Sequence, residues 1–165
     1  MTPEIQEFVR SLRLGGKVLE VGSLDVNGNV RHALRRGARY VGLDLRRGPN
    51  VQVQASGYAL PFADGVFNTV LCLDTLEHDA AFWRTVPELR RVLRRGGRLV
   101  VTVPGIGFPK HDQPSDFYLF TVEAVRSMFT GMKQVRVEGL GDYAWAPPGA
   151  ILVNGYSAVF GHGVK

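Results

Sequence analysis

The sequence has little cysteine, no long hydrophobic run and no signal segment at its start. Its only cysteine is Cys72, which excludes an intramolecular disulfide and a cysteine-based metal site. Cys72 lies within the apolar run 69–73, so we expect it to be a small buried hydrophobe. No apolar run approaches the roughly 20 residues of a membrane-spanning helix. The N-terminus is not a basic stretch followed by an apolar one. We therefore expect a cytoplasmic protein without a membrane partner.

Lysine is also scarce, and arginine carries the positive charge. The formal net charge is +5, from sixteen Arg and four Lys against fifteen acidic residues. Much of the arginine occurs in pairs, at Arg35-Arg36, Arg46-Arg47, Arg90-Arg91 and Arg94-Arg95. Such pairs are typical of solvated helix faces and ends, and they can also indicate an acidic partner. No aromatic residue is interleaved with them and no nucleic-acid-binding motif accompanies them, so nucleic acid is not the favoured partner.

The length of 165 residues predicts a single domain over 1–165. Residues Ile5, Phe8, Val9 and Leu12 recur at helical spacing and predict an N-terminal helix within 1–14. The spacing of apolar residues and the positions of turn residues predict the remaining elements. Strands are expected at 17–21, 39–43, 51–53, 68–73, 98–103, 133–140 and 151–160, and helices at 29–36, 80–94 and 122–130.

The order of these elements predicts the fold class. Strands alternating with helices favour an α/β fold with a doubly wound, mostly parallel sheet. The last two predicted strands have no helical pattern between them, so we expect them to pair antiparallel. Loops are expected at 104–120 and 141–150, and we assign both to the substrate side.

Two segments indicate a nucleoside-sized ligand. Residues 17–28 read KVLEVGSLDVNG, an apolar strand that ends in Glu20 and enters a turn containing glycine. Residues 40–45 read YVGLDL, a strand that ends in Asp44. A unit of this kind places backbone N–H groups and two carboxylates around a crevice. At this point both a nicotinamide dinucleotide and S-adenosylmethionine remain candidates.

The first turn argues against the dinucleotide. Its pyrophosphate needs G-x-G-x-x-G at the start of a helix, whereas Leu24 and Asn27 stand where the second and third glycines would be. Asp25 would also bring a carboxylate close to the phosphates. The turn is less unfavourable for a cofactor without phosphate.

Later motifs carry a family resemblance. The segments ALPFADGVFNTVLCLDTLEH (59–78) and ELRRVLRRGGRLVVTVPG (88–105), following the two acid-ended strands, resemble class I S-adenosylmethionine-dependent methyltransferases, closest to the type 11 group. The stretch 116–121 is similar to the family's segment before its penultimate helix. The resemblance covers roughly residues 15–130. It implies a Rossmann-like seven-stranded sheet with the last strand antiparallel, and an enzyme of class EC 2.1.1.

The resemblance also implies residue roles. Gly22 and Ser23 would let the backbone approach the cofactor, Glu20 would sit near the methionine amino group, and Asp44 would accept hydrogen bonds from the ribose hydroxyls. Other positions would surround the rest of the cofactor: Leu45, Gly57, Tyr58, Ala59, Leu73 and Asp74. No metal is implied.

The acceptor side is less defined by the sequence. A general base is needed only if the nucleophile must lose a proton, and His78 and His111 are the candidates. The loop aromatics Phe108, Phe117, Tyr118, Tyr143 and Trp145 suit a planar or apolar small-molecule acceptor and equally suit a cover for the sheet edge. Oligomeric state is not indicated.

Departures from the family pattern keep an alternative open. Residues 23–27 replace the usual alternate glycines, Ser56 replaces an aspartate, Asn68 follows Phe67 in place of aspartate, and Leu119 replaces an arginine. A non-catalytic nucleoside-binding relative is therefore the second hypothesis, ahead of an NAD-dependent oxidoreductase.

Overall fold

The computed structural model describes residues 3–26, 28–109, 115–145 and 153–165. Three α-helices are present in this part of the chain: α1 (Pro3–Ser11), α2 (Phe82–Val92) and α3 (Val122–Met128). Seven strands accompany them: β1 (Lys17–Val21), β2 (Arg39–Asp44), β3 (Val53–Gln54), β4 (Phe67–Leu73), β5 (Leu93–Pro104), β6 (Lys133–Trp145) and β7 (Val153–Val164). Short 3-10 turns lie at Arg31–Ala33 and Leu76–His78. None of the described helices is long and apolar enough to cross a membrane.

All seven strands form one sheet in the order β3-β2-β1-β4-β5-β7-β6. Strands β1 to β5 are mutually parallel where they pair. Strand β7 runs antiparallel to both of its neighbours, β5 and β6. The predicted seven-stranded sheet with an antiparallel last strand is confirmed, and so is the antiparallel pairing of the final two strands.

Helices cover both faces of the sheet because successive strand residues point to opposite sides. On one face Val70 and Cys72 of β4 join the apolar residues of α2 and α3. On the other face Leu71 and Leu73 join Ile5 and Val9 of α1 and the Arg31–Ala33 turn. Cys72 is fully buried as expected, and burial raises the pKa of its thiol.

The structure differs most clearly from the predicted elements in three places. The helix expected at 29–36 is only the 3-10 turn Arg31–Ala33, because the Asn29 side chain accepts the N–H of Arg31 and competes with helical bonding. Helix α2 ends at Val92, and residues 93–97 belong to β5. The loop expected at 141–150 is strand up to Trp145, since β7 provides a partner at each pairing from Asp142 to Trp145. Residues 146–150 lie outside the described part of the chain.

A network of hydrogen bonds around Arg91 and Glu88 ties the Leu60-Pro61-Phe62 motif to α2. The Arg91 guanidinium donates to the carbonyls of Leu60 and Phe62 at 3.0 and 2.8 Å. It also bonds Glu88 at 2.6 and 2.8 Å, and Glu88 accepts the N–H of Leu60 at 2.9 Å. Two segments that are distant in sequence are therefore held in a fixed register.

Candidate functional site

A cleft of about 550 Å³ opens at the carboxyl edge of the parallel strands. It lies over β1 and β4, where the strand order changes direction, which is the place where open α/β sheets bind ligands. The turns after β1, β2 and β4 and the segment 55–58 line it. Its size suits a small molecule or cofactor.

Gly22 shapes the floor of the cleft. Its φ of +80° favours glycine, and a Cβ there would meet Thr75 Oγ1 at 2.1 Å. The N–H groups of Gly22 and Ser23 both donate to the carbonyl of Leu43, at 2.8 and 3.1 Å. The turn is thus locked against β2, and the missing side chain lets the turn pack directly against Thr75.

Asp44 presents a carboxylate to the same cleft. Its Oδ1 accepts the N–H of Arg46 at 2.8 Å and its Oδ2 lies 3.4 Å from the N–H of Leu24. The side chain keeps 13% of its surface exposed, so it can still accept hydrogen bonds from a ligand. Leu45 is 66% exposed beside it and offers an apolar face.

Glu20 is buried at the end of β1 and belongs to a polar chain. It accepts a hydrogen bond from the hydroxyl of Tyr40, which in turn accepts one from Asn50 Nδ2 at 2.7 Å. Burial raises the pKa of Glu20 to about 7, although the Tyr40 bond and the Arg31 charge oppose the shift. A nearby ligand cation would favour the ionised form.

The segment 55–58 forms the far wall. A Cβ on Gly57 would come within 3.0 Å of Thr85 Cγ2, so glycine permits close packing there. The Tyr58 ring lies under the Arg84 guanidinium, 4.4 Å from its centroid. Ala59 does not line the cleft, in contrast to the prediction. Its N–H closes a turn onto the Ser56 carbonyl at 3.1 Å, and the residue faces solvent.

Leu73 and Asp74 line the end of β4, as predicted. Asp74 adopts a φ of +45°, and its Oδ1 accepts the hydroxyl of buried Thr102 at 2.8 Å. The neighbouring strand β5 therefore fixes this carboxylate at the edge of the cleft.

His78 lies on the rim within a group of carboxylates. Its Nδ1 is 3.2 Å from both the Ser115 carbonyl and Asp116 Oδ1, and its Nε2 is 3.7 Å from Glu77 Oε1. Glu77 is almost fully buried, and burial together with the charges of Asp74 and Asp116 raises its pKa to about 9. The imidazole is thus oriented by acidic neighbours.

Residues missed at the sequence level complete the lining. Thr75 and Asp79 border the cleft, and Asp79 accepts the Thr85 hydroxyl and, at 2.9 Å, the N–H of Ala81. Thr75 closely follows the apolar strand β4, a position that could have identified it. His111 lies outside the described residues. Within the described part of the chain, no group of three His, Cys, Asp or Glu side chains is arranged to hold a metal ion.

Comparison with known proteins identifies the family. The sequence profile of the Methyltransferase domain family matches residues 19–101, about half of the chain. An uncharacterized methyltransferase of Mycobacterium sp. strain KMS is 40% identical over 78 residues, which cover 41% of this chain and 31% of that protein. The chain thus spans less than a third of that relative's length.

Solved structures share the fold at low identity. A SAM-dependent methyltransferase of Archaeoglobus fulgidus superposes with a TM-score of 0.68 at 12% identity, covering 97% of this chain and 94% of that one. A 1,6-didemethyltoxoflavin-N1-methyltransferase of Burkholderia thailandensis, solved with 1,6-didemethyltoxoflavin and S-adenosylhomocysteine, gives 0.65 at 17% identity, covering 99% and 77%.

The chain therefore belongs to the methyltransferase domain family. S-adenosylmethionine is the cofactor that the sequence resemblance implies. The cleft fits that molecule. The partly exposed Asp44 offers acceptor oxygens to a diol, and Leu45 beside it offers an exposed apolar face. No cluster of basic side chains lines the described wall of the cleft, which suits a nucleoside without phosphates.

Proposed function

We propose that this chain transfers a methyl group from S-adenosylmethionine to a small-molecule acceptor. The observation that carries the proposal is the cleft at the strand-order switch, in which Gly22 and Asp44 converge on one cavity. S-adenosylmethionine supplies a methyl group already activated on a sulfonium. The protein's part is chiefly to orient the reactants, which in well-aligned systems is worth about 7–11 kcal/mol.

Each cofactor-side residue has a distinct role in the proposal. Asp44 accepts hydrogen bonds from the ribose, and Leu45 with Tyr58 packs around the adenine. Ser23, Gly57, Leu73 and Asp74 complete the walls. Glu20 faces the amino group, and a cation there would stabilise its ionised form.

His78 is the proposed base when the acceptor must lose a proton. The Ser115 carbonyl and Asp116 both lie 3.2 Å from Nδ1, so a proton held on Nδ1 leaves the Nε2 lone pair as the acceptor. Asp116 is a positioning residue in this scheme because it acts through the imidazole. His111 remains a second candidate on sequence grounds.

The exposed rim favours an apolar or planar acceptor. Phe117 lines the cleft and is 56% exposed, and Val26 on the opposite lip is 62% exposed. Tyr118 instead packs on Phe82 and Phe120 and donates its hydroxyl to the Ala80 carbonyl at 3.0 Å, so it supports the rim. Phe108 is exposed outside the cleft. The side chains of Tyr143 and Trp145 lie outside the described set.

Ligand-induced stabilisation tests the cofactor half of the proposal. At about 100 times the dissociation constant, S-adenosylmethionine should stabilise the protein by about 2.7 kcal/mol, and NAD should not. Asp44→Ala should lose on the order of 1–3 kcal/mol of binding free energy by calorimetry. Asp64→Ala, which removes an 80% exposed carboxylate at the opposite edge, is the matched control and should bind normally. Stabilisation by NAD alone would refute the assignment.

Turnover separates an enzyme from a binding protein. The assay follows transfer of labelled methyl from S-adenosylmethionine across a panel of planar amine, hydroxyl and thiol acceptors. With an active acceptor, His78→Asn should lower kcat while cofactor affinity is kept. Asp116→Asn should also lower kcat, because Asp116 acts through the imidazole. Cofactor binding without turnover on any acceptor would support the non-catalytic hypothesis instead.

A further inference from the structure

The amino-terminal edge of the sheet, opposite the cleft, concentrates basic side chains. Strands β1, β2 and β6 begin there with Lys17, Arg39 and Lys133, and β7 ends there. We call this surface the basic edge and define it by Arg13, Lys17, Arg35, Arg36, Arg39, Arg94, Arg95, Arg98 and Lys133. All are exposed except the half-buried Arg98.

Among the described residues these charges have no acidic partner. In the described part of the chain, no carboxylate lies within ion-pair distance of any basic-edge side chain. The nearby acid in the connection to β4, Asp64, is bound to Arg91 at 2.7 Å. The edge therefore presents positive charge to solvent, and such a field attracts anions at long range.

The basic edge also lacks the residues that anchor protein or membrane partners. Large hydrophobic side chains are exposed at eight described positions, all of them away from this edge: Val26, Leu45, Tyr58, Trp83, Ile106, Phe108, Phe117 and Leu119. Protein interfaces rely on buried aromatic or aliphatic anchors, and interfacial membrane binding inserts apolar residues. The absence of stacking aromatics also disfavours single strands.

The geometry suits a repeating row of phosphates. The edge extends across six neighbouring strands from β2 to β6, about 24 Å at about 4.8 Å per strand, or about seven base pairs of duplex. At one end Arg35 and Arg36 border a recess with Arg31 and His32. Seven of the nine basic-edge residues are arginines, whose guanidinium forks match phosphate oxygens.

We propose that the basic edge binds the phosphate backbone of double-stranded nucleic acid without sequence specificity. The cleft lies at the opposite edge of the sheet, so this contact anchors the protein and does not deliver a base to the site. The proposal is independent of the methyl acceptor and of catalysis.

Fluorescence anisotropy with a labelled DNA duplex of about 20 base pairs tests the proposal. The affinity should fall steeply between about 50 and 200 mM salt. A plot of the logarithm of the binding constant against the logarithm of the salt concentration should have a slope of about −0.9 for each phosphate contact. Arg94→Glu/Arg95→Glu should weaken binding at least about tenfold and reduce the slope by about 2. Arg35→Glu/Arg36→Glu, at the other end of the edge, should do the same, which keeps the test valid if one double variant misfolds.

Arg46→Glu/Arg47→Glu is the matched control, because it makes the same charge change on the cleft side. It should weaken binding much less than either basic-edge variant. Equal losses for all three pairs would mean that net charge alone governs binding and would overturn the proposal. Tighter binding of polyglutamate or of phosphatidylserine vesicles than of duplex would also overturn it, in favour of an acidic protein or a membrane surface.

Discussion

The two edges of the sheet have opposite surface chemistry. At the carboxyl edge, Glu20, Asp44 and Asp74 line a cleft whose rim exposes Leu45 and Phe117. Glu77 is buried beside His78 at the same edge. At the amino-terminal edge, arginine and lysine are exposed and no large hydrophobic side chain is exposed among the described residues. One topology therefore supports two surfaces. The first buries polar groups to form a site, and the second leaves charges solvated.

The physical difference lies in desolvation. Carboxylates at the cleft edge are partly or wholly buried, and burial raises the pKa of Glu20 and Glu77. Basic-edge side chains remain in water and keep their charge at little cost. The cleft edge should therefore carry most of the pH sensitivity and most of the steric constraint.

The largest expected effect is a loss of stability as the pH rises from 4.5 to about 9. Glu20 and Glu77 have pKa values of about 7 and about 9, above the ordinary 4.5. Between 4.5 and each raised value, the folded protein holds a proton that the unfolded chain has released, so rising pH favours unfolding. For each group the free energy of unfolding should fall by about 1.4 kcal/mol per pH unit. Denaturant titrations across this range measure the slope.

Glu77→Gln isolates the larger contribution. Its glutamine cannot ionise, so the variant should be more stable than the wild type near pH 9 and similar to it near pH 5, since Glu77 is neutral there. Glu123→Gln makes the same change on the exposed surface of α3 and should follow the wild-type curve. A Glu77→Gln curve parallel to that of the wild type would contradict the assignment.

Alanine substitutions at Gly22 and Gly37 compare the steric constraint at the two edges of the sheet. Gly22 and Gly37 have similar φ values, +80° and +85°, but a Cβ meets Thr75 at 2.1 Å in the first and nothing within 4 Å in the second. Gly37→Ala should cost about 1–2 kcal/mol for its backbone conformation. Gly22→Ala should cost a further 1–3 kcal/mol or so from overpacking and should weaken cofactor binding. Denaturant unfolding measures the stability of the two variants, and calorimetry measures their cofactor affinity. Equal losses of stability would contradict a tighter steric constraint at Gly22.

A smaller difference in stability is expected between a hydrogen-bonded arginine, Arg91, and a basic-edge arginine, Arg94. Arg91→Ala removes the bonds to Leu60, Phe62 and Glu88 and should destabilise by about 1.5–3 kcal/mol. Arg94→Ala removes an unpaired surface charge and should change stability by less than about 0.5 kcal/mol. Thermal unfolding of both variants distinguishes them, and a comparable loss in Arg94→Ala would show that the basic edge is structural.

Sequence reasoning recovered the strands, and the predicted cofactor-side residues other than Ala59 line the cleft. Apolar runs that end in an acid place Glu20 and Asp44 at strand ends, and parallel pairing then requires those ends to share one edge. The Asp116–His78 contact could not be predicted, because the two residues are far apart in the sequence and meet only through tertiary packing. The roles given to these residues remain predictions.

By itself, the sequence determined the alternation of strands and helices, the glycine at the first turn and the lack of a pyrophosphate-binding motif, because these depend on local pattern and backbone stereochemistry. Only the tertiary structure decided the extent of β6, the isolation of Ala59 from the cleft and the separation of acidic from basic edges. Each of those depends on which distant segments meet: the pairing of β6 with β7 overrode the turn-like composition of 141–145. Likewise, parallel strand alignment collected scattered arginines on one edge of the sheet.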